Sequence, residues 1–123
     1  MPDSQKCVCI VDDEPSVRRA LKRLLQSHGY DTVAFANGRE CLDGHEVDRA
    51  KVVIIDVSMP GMDGFEFHTL LRASGRNIPT IFISAHANRR YADRAISVGA
   101  ITFLSKPCNE ADLLRAIESV IKA

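Results

Sequence analysis

Five short apolar runs, each followed by a segment of helical period, leave this sequence few folds to choose from. They span residues 7–11, 32–35, 52–55, 80–83 and 101–104, and are rich in the branched and aromatic side chains that fit a pleated strand. The first, third and fourth are apolar without alternation, as strands covered on both faces must be, which points to a parallel sheet. The second is short and sits beside Asp31 and polar neighbours, as an edge strand does. Between the runs, Val17, Ala20, Leu21, Leu24 and Leu25 form one helical stripe opposite Arg18, Arg19, Lys22 and Arg23, with Pro15 in the first turn and Gly29 at the stop. A last helix is expected after Asn109 as N-cap, with Leu113, Leu114, Ile117, Val120 and Ile121 facing inward. Weaker helical patterns occupy 37–43, 64–73 and 88–98. The last of these has the thinnest stripe, Ala92, Ala95 and Ile96, and is expected to be the least anchored. Strand and helix alternating five times, with right-handed crossovers, give a doubly wound α/β sheet with helices on both faces.

A chain of 123 residues is long enough for one domain with a real core and too short for two. We therefore expect a single domain over 1–123, with an ordered core over about 6–122. Sixteen basic and sixteen acidic residues cancel, so the whole chain offers no electrostatic reason to bind nucleic acid or an anionic membrane. No apolar run approaches the ~20 residues of a membrane span, and MPDSQK lacks the features of a signal peptide, so a cytoplasmic location is expected. Cys7, Cys9, Cys41 and Cys108 show no CxxC or zinc spacing, and the first two read as small buried hydrophobes.

The chemistry is concentrated just past the ends of the strands. Asp12, Asp13 and Glu14 come after the first, Asp56 after the third, Ser84 after the fourth, and Ser105, Lys106 and Pro107 after the fifth. In a parallel sheet these positions share one edge, and open α/β sheets bind ligands in the crevice at that edge. Carboxylates gathered there repel, each close pair by up to ~4 kcal/mol at an effective dielectric near 20, unless a cation or proton intervenes. An all-oxygen donor set favours Mg²⁺, Mn²⁺ or Ca²⁺, and Mg²⁺ needs only one or two carboxylates, which leaves one free to react. With Lys106 as a fixed cation and Ser84 as a donor, the set suits phosphoryl transfer to an aspartate.

The motifs VDDEPSVRRAL, IIDVSMPGMDG, IFISAH and FLSKP, in this order and on these strand ends, resemble the receiver domain of two-component response regulators from about Cys7 to the end of the chain. The resemblance implies a flavodoxin-like (βα)5 fold with strand order 2-1-3-4-5. It implies a signalling switch rather than a turnover enzyme, with Asp56 accepting a phosphoryl group from a histidine of a sensor kinase. Asp13 would bind Mg²⁺ directly and Asp12 mainly through water, with Asp56 and the Ser58 backbone carbonyl completing the protein ligands. Lys106 would pair with Asp56 and later with the phosphoryl group, and the Lys106–Pro107 peptide is expected to be cis. Ser84 and Phe103 would form the switch pair, reshaping the surface of the fourth helix, fifth strand and fifth helix. The output would be an effector domain or a downstream protein, with a homodimer formed on phosphorylation as a further candidate partner. GAITFLSKP somewhat resembles receivers that precede a helix-turn-helix DNA-binding domain, although Cys108 stands where an aromatic residue often follows.

Other residues have plainer readings. Pro60-Gly61 suits a type II turn, and Asp63 with Glu66 resembles a capping box opening the third helix. Phe103 could serve the core as well as a switch. Arg89, Arg90 and Arg94 beside Tyr91 read as a solvated face or, more sharply, as an output surface. His28, His45 and His68 form no metal or catalytic set, whereas His86, two residues after Ser84, could border the phosphorylation pocket and affect phosphoryl lifetime. Two rival functions are a Mg²⁺-dependent phosphohydrolase of the haloacid dehalogenase type, which places an aspartate where Ser58 stands, and a receiver that binds partners without phosphorylation. The intact set Asp12, Asp13, Asp56, Ser84 and Lys106 argues against the second.

Overall fold

Apolar runs without polar alternation become the interior of the sheet. In the computed structural model, which describes residues 6–86 and 88–121, β1 (Cys7–Val11), β3 (Val52–Asp56) and β4 (Thr80–Ser84) are buried at every position. The flanking β2 (Asp31–Phe35) and β5 (Thr102–Ser105) are mostly half-buried. All pairings are parallel and the order is β2-β1-β3-β4-β5, so the expected doubly wound sheet is present; β2, at five residues as long as the interior strands, and the four-residue β5 form its edges.

Side chains alternate across this sheet and build two apolar layers. Val8, Ile10, Val52, Ile54, Ile81 and Ile83 meet α1 (Pro15–Ser27) and α5 (Glu110–Glu118) through Leu21, Leu25, Leu113 and Ile117. Cys9, Val11, Val53, Ile55 and Phe82 face α2 (Gly38–Asp43), α3 (Gly64–Ala73) and α4 (Arg89–Ser97) through Cys41, Phe65, Phe67, Leu71 and Ala95. Fully burying one such Leu, Ile or Phe is worth about 1.5–3 kcal/mol, so these layers hold the sheet edge rigid.

Two expected inward residues face solvent instead. Ile96 on α4 is 72% exposed, leaving Ala95 as the helix's buried anchor, so α4 is held even more lightly than its stripe suggests. Val120 lies beyond the end of α5 and is exposed, because the helix stops at Glu118 and the chain turns there. A single 3₁₀ turn at Glu46–Arg49, which the periodicity does not announce, leads into β3 and buries Val47. Residue 122, the end of the expected core, lies outside the described residues.

The turn after β3 obeys its residue chemistry. Gly61 has φ 75°, as the third position of a type II turn requires. Asp63 Oδ1 accepts from Glu66 N–H at 2.9 Å, and Asp63 N–H donates to Glu66 Oε1 at 3.2 Å, closing the capping box. Replacing Asp63 by Ala should lower unfolding stability by about 1 kcal/mol in a urea titration, since α3 would lose its cap. An unchanged midpoint would show that the cap is energetically idle.

Candidate functional site

The parallel ladder runs past the strand ends and fixes the loops that carry the polar groups. Asp12 N–H donates to Phe35 O at 3.1 Å, Val57 N–H to Ile83 O at 2.9 Å, and Lys106 N–H to Ser84 O at 2.9 Å. One edge therefore presents Asp12 and Asp13 from β1, Asp56 at the end of β3, Ser84 at the end of β4, and Lys106 just after β5. The Lys106–Pro107 peptide is cis.

Asp12, Asp13 and Asp56 each offer a carboxylate oxygen, all within 4.8 Å of one another. Asp12 and Asp56 are buried and Asp13 is half-buried. Asp12 Oδ1 accepts from Glu14 N–H at 2.9 Å, and Asp56 Oδ1 from Ser58 N–H at 3.2 Å. Lys106 Nζ stands 3.0 Å from Asp12 Oδ2 and 3.2 Å from Asp56 Oδ2. The Asp12 contact is an ion pair without hydrogen-bond alignment, so Asp12 Oδ2 is buried with no aligned donor among the described residues. With two further carboxylates in the same cluster, such an atom is what a hard divalent cation would satisfy, and the all-oxygen set fits Mg²⁺ or Mn²⁺.

The electrostatics agree with that crowding. Burial, and next the charge of Asp12, push the Asp56 carboxyl up to about 6, with Lys106 and the Ser58 N–H pulling the other way. Burial pushes the Lys106 ammonium down, but Glu14, Asp12 and Asp56 outweigh it and hold it above the usual lysine range.

Ser84 is fully buried, and its Oγ accepts from His86 N–H at 3.0 Å and lies 3.4 Å from Ser58 Oγ. The strand register sets Phe103 beside Phe82 and two residues short of the Ser84–Ser105 pair, so Phe103 and Ser84 share a sheet face. Phe103 is half-buried against the α3–α4 layer. His86 has an exposed side chain and touches Ser84 through its backbone. The arginine patch is partly structural: Arg94 covers the Phe65 ring at 4.5 Å from its centroid, and Phe65 packs on Phe82 and Tyr91. The four cysteines are free thiols, three buried and Cys108 half-buried.

Three contacts escape a reading of spacing and motif. Lys106 Nζ donates to Glu14 Oε1 at 2.9 Å, Arg18 donates to the Asp12 carbonyl at 2.7 Å, and the Ser58 hydroxyl faces Ser84. Only Glu14 gave a signal, as a third consecutive acid at a strand end.

A flavodoxin-like α/β domain, with an acidic crevice closed by a lysine at its carboxyl edge, is the class that fold and site define. The chain belongs to the response regulator receiver domain family of two-component systems, whose family model matches residues 8–118. It is 38% identical over 122 residues to the response regulator protein TmoT of Ectopseudomonas mendocina, covering 99% of this chain and 56% of that protein. The solved structure of the response regulator StyR superposes with a TM-score of 0.85 at 38% identity, covering 94% of this chain and 59% of that one. The chemotaxis protein CheY4 of Vibrio cholerae gives 0.82 at 34% identity, covering 93% of this chain and 97% of that one. The chain spans about half the length of the curated relatives it matches, such as TmoT at 56% and Nodulation protein W of Bradyrhizobium diazoefficiens at 48%. Receiver domains of response regulators pair with histidine kinases and effector domains. Among the described residues no helix is long and apolar enough to cross a membrane.

Proposed function

We propose that this domain is a phosphorylation-activated switch in which Asp56 accepts a phosphoryl group from a histidine of a sensor kinase. The observation that carries this reading is the placing of Asp12, Asp13 and Asp56 within 4.8 Å at the sheet's carboxyl edge, with Lys106 Nζ 3.2 Å from Asp56 Oδ2. Asp13, Asp12, Asp56 and the Ser58 carbonyl would hold Mg²⁺, or Mn²⁺ in its place. When bound, the ion supplies positive charge that neutralises the carboxylates and the phosphoryl oxygens.

The chain's own groups do the rest. A carboxylate oxygen of Asp56 forms the new bond to phosphorus as the bond from phosphorus to the histidine nitrogen breaks, and the imidazole leaves with the electron pair. Lys106, fixed by the backbone ladder at Ser84 and already among carboxylates, takes up charge on the incoming oxygens. Ser84 exchanges its backbone contact at His86 for a phosphoryl oxygen, and Phe103 follows on the same face. The lightly anchored α4 is the element such a change would move, altering the surface it shares with β5 and α5. A receiver joined to an effector and one that acts on a separate partner would share this chemistry and differ in what reads that surface. TmoT and StyR extend beyond the matched segment, which supports an effector, DNA-binding by the resemblance of GAITFLSKP. A cytoplasmic setting fits a partner that is a sensor kinase.

Incubation with acetyl phosphate and Mg²⁺ should add one phosphoryl group by mass spectrometry, lost in Asp56→Asn and on chelation, with no turnover of added phosphomonoesters. An unmodified wild-type chain would overturn the switch, and steady phosphomonoester hydrolysis would favour the phosphohydrolase.

A further inference from the structure

Glu14 occupies the N-cap position of α1 yet its side chain makes no capping bond to that helix. It turns instead toward the crevice, where its Oε1 accepts from Lys106 Nζ at 2.9 Å across 92 positions of sequence. Lys106 is only 9% exposed, and among the described residues this is its one aligned side-chain hydrogen bond, because its contacts with Asp12 and Asp56 are ion pairs without that alignment. Glu14 does not belong to the carboxylate trio that could hold a cation, and its side chain is 53% exposed. Its negative charge is therefore spent on the lysine from the solvent side of the site.

We infer that Glu14 is a positioning residue that competes with the phosphoryl group for Lys106 and so restrains phosphorylation of Asp56. The inference rests on the proposed phosphoryl-accepting role. When Asp56 carries a phosphoryl group, Lys106 must turn its donors to the new oxygens. Glu14 opposes this twice, by holding the ammonium and by placing a negative charge near an incoming dianion. Glu14→Gln keeps the length and an acceptor oxygen while removing the charge, which abolishes the second effect and weakens the first.

Two measurements test this. With acetyl phosphate, the oxygen of Asp56 bonds to phosphorus and acetate leaves, and Glu14→Gln should accept the phosphoryl group about two- to fivefold faster, the scale of a partly exposed ion pair. Binding of Mg²⁺ and beryllofluoride, which stands in for the phosphoryl group without turnover, should tighten by a similar factor in calorimetry. Both gains should shrink as ionic strength rises, since a half-exposed carboxylate is screened. A merely structural Glu14 would shift the unfolding midpoint and leave beryllofluoride affinity unchanged, and that result, or weaker binding by the variant, overturns the inference. If the wild type itself neither binds beryllofluoride nor gains a phosphoryl group, the reading of the whole site fails, which is a different outcome from a wild type that binds and a variant that matches it.

Discussion

Asp56→Asn is expected to make the cation-free domain more stable above pH 6, by about 1–3 kcal/mol, while it abolishes phosphoryl acceptance. The gain comes from the carboxyl's position in the fold. Burial first, then the Asp12 charge, push Asp56 up to about 6, whereas in the unfolded chain it titrates near an ordinary aspartate. Between about pH 4 and 6 the folded protein keeps a proton that the unfolded chain has already released. The stabilisation this gives is complete below the unfolded value and is lost as pH rises through about 6. A separation of about two pH units is worth about 3 kcal/mol at most, and the asparagine gives some of that back because it cannot pair with Lys106.

Asparagine also keeps an oxygen to accept from Ser58 N–H, so the local backbone has no reason to move. Urea unfolding in chelator across pH 4–8 checks the sign: the wild type should lose stability through this window and the variant should lose less. Adding Mg²⁺ should then raise the wild-type midpoint more than that of the variant, because a ligand that binds only the folded state stabilises it in proportion to occupancy. A variant no more stable than wild type at pH 8 in chelator would mean that neither burial nor the Asp12 charge makes the Asp56 carboxylate costly to the fold.

How much of this was legible in sequence depends on whether the cause is local. The buried strands were, because Val52, Val53, Ile54 and Ile55 have no polar alternative face, and so was the capping box, whose partners lie three residues apart. The gathering of Asp12, Asp56, Ser84 and Lys106 was legible at one remove, since parallel strands with right-handed crossovers bring their carboxyl ends to one edge. Which donor meets which acceptor there was not. Glu14 reaches Lys106 only because the start of α1 leaves its carboxylate free to turn away from the helix, and no periodicity encodes a rotamer. Ile96 misled for a related reason: in a short helix with one buried alanine, the apolar stripe is too thin to decide which way the neighbouring residue points.

Gly64 gives the other large effect, and its cause is likewise invisible in sequence. It opens α3 with an ordinary helical φ, so conformational freedom is not why glycine stands there. A Cβ at this position would lie 2.5 Å from the carbonyl oxygen of Asp56 and 2.8 Å from the Cα of Val57. Both are backbone atoms of the rigid end of β3, and Gly64 N–H is tied to Val57 O at 2.9 Å. Neither side can step away without moving Asp56. Gly64→Ala should therefore cost about 3 kcal/mol or more, at the upper end for overpacking, and slow phosphoryl acceptance about 10–100-fold in protein that remains folded. Two neighbouring glycines calibrate the result. At Gly38 an added Cβ meets the Phe67 ring at 2.7 Å and the Met62 sulfur at 3.0 Å, side chains that can shift, so Gly38→Ala should cost less and leave the site intact. At Gly61 nothing lies within 4 Å, so Gly61→Ala should cost only the left-handed backbone conformation, about 1–2 kcal/mol. If Gly64→Ala unfolds no earlier than Gly38→Ala and phosphorylates at the wild-type rate, then the closeness of α3 to the end of β3 does not hold Asp56 in place.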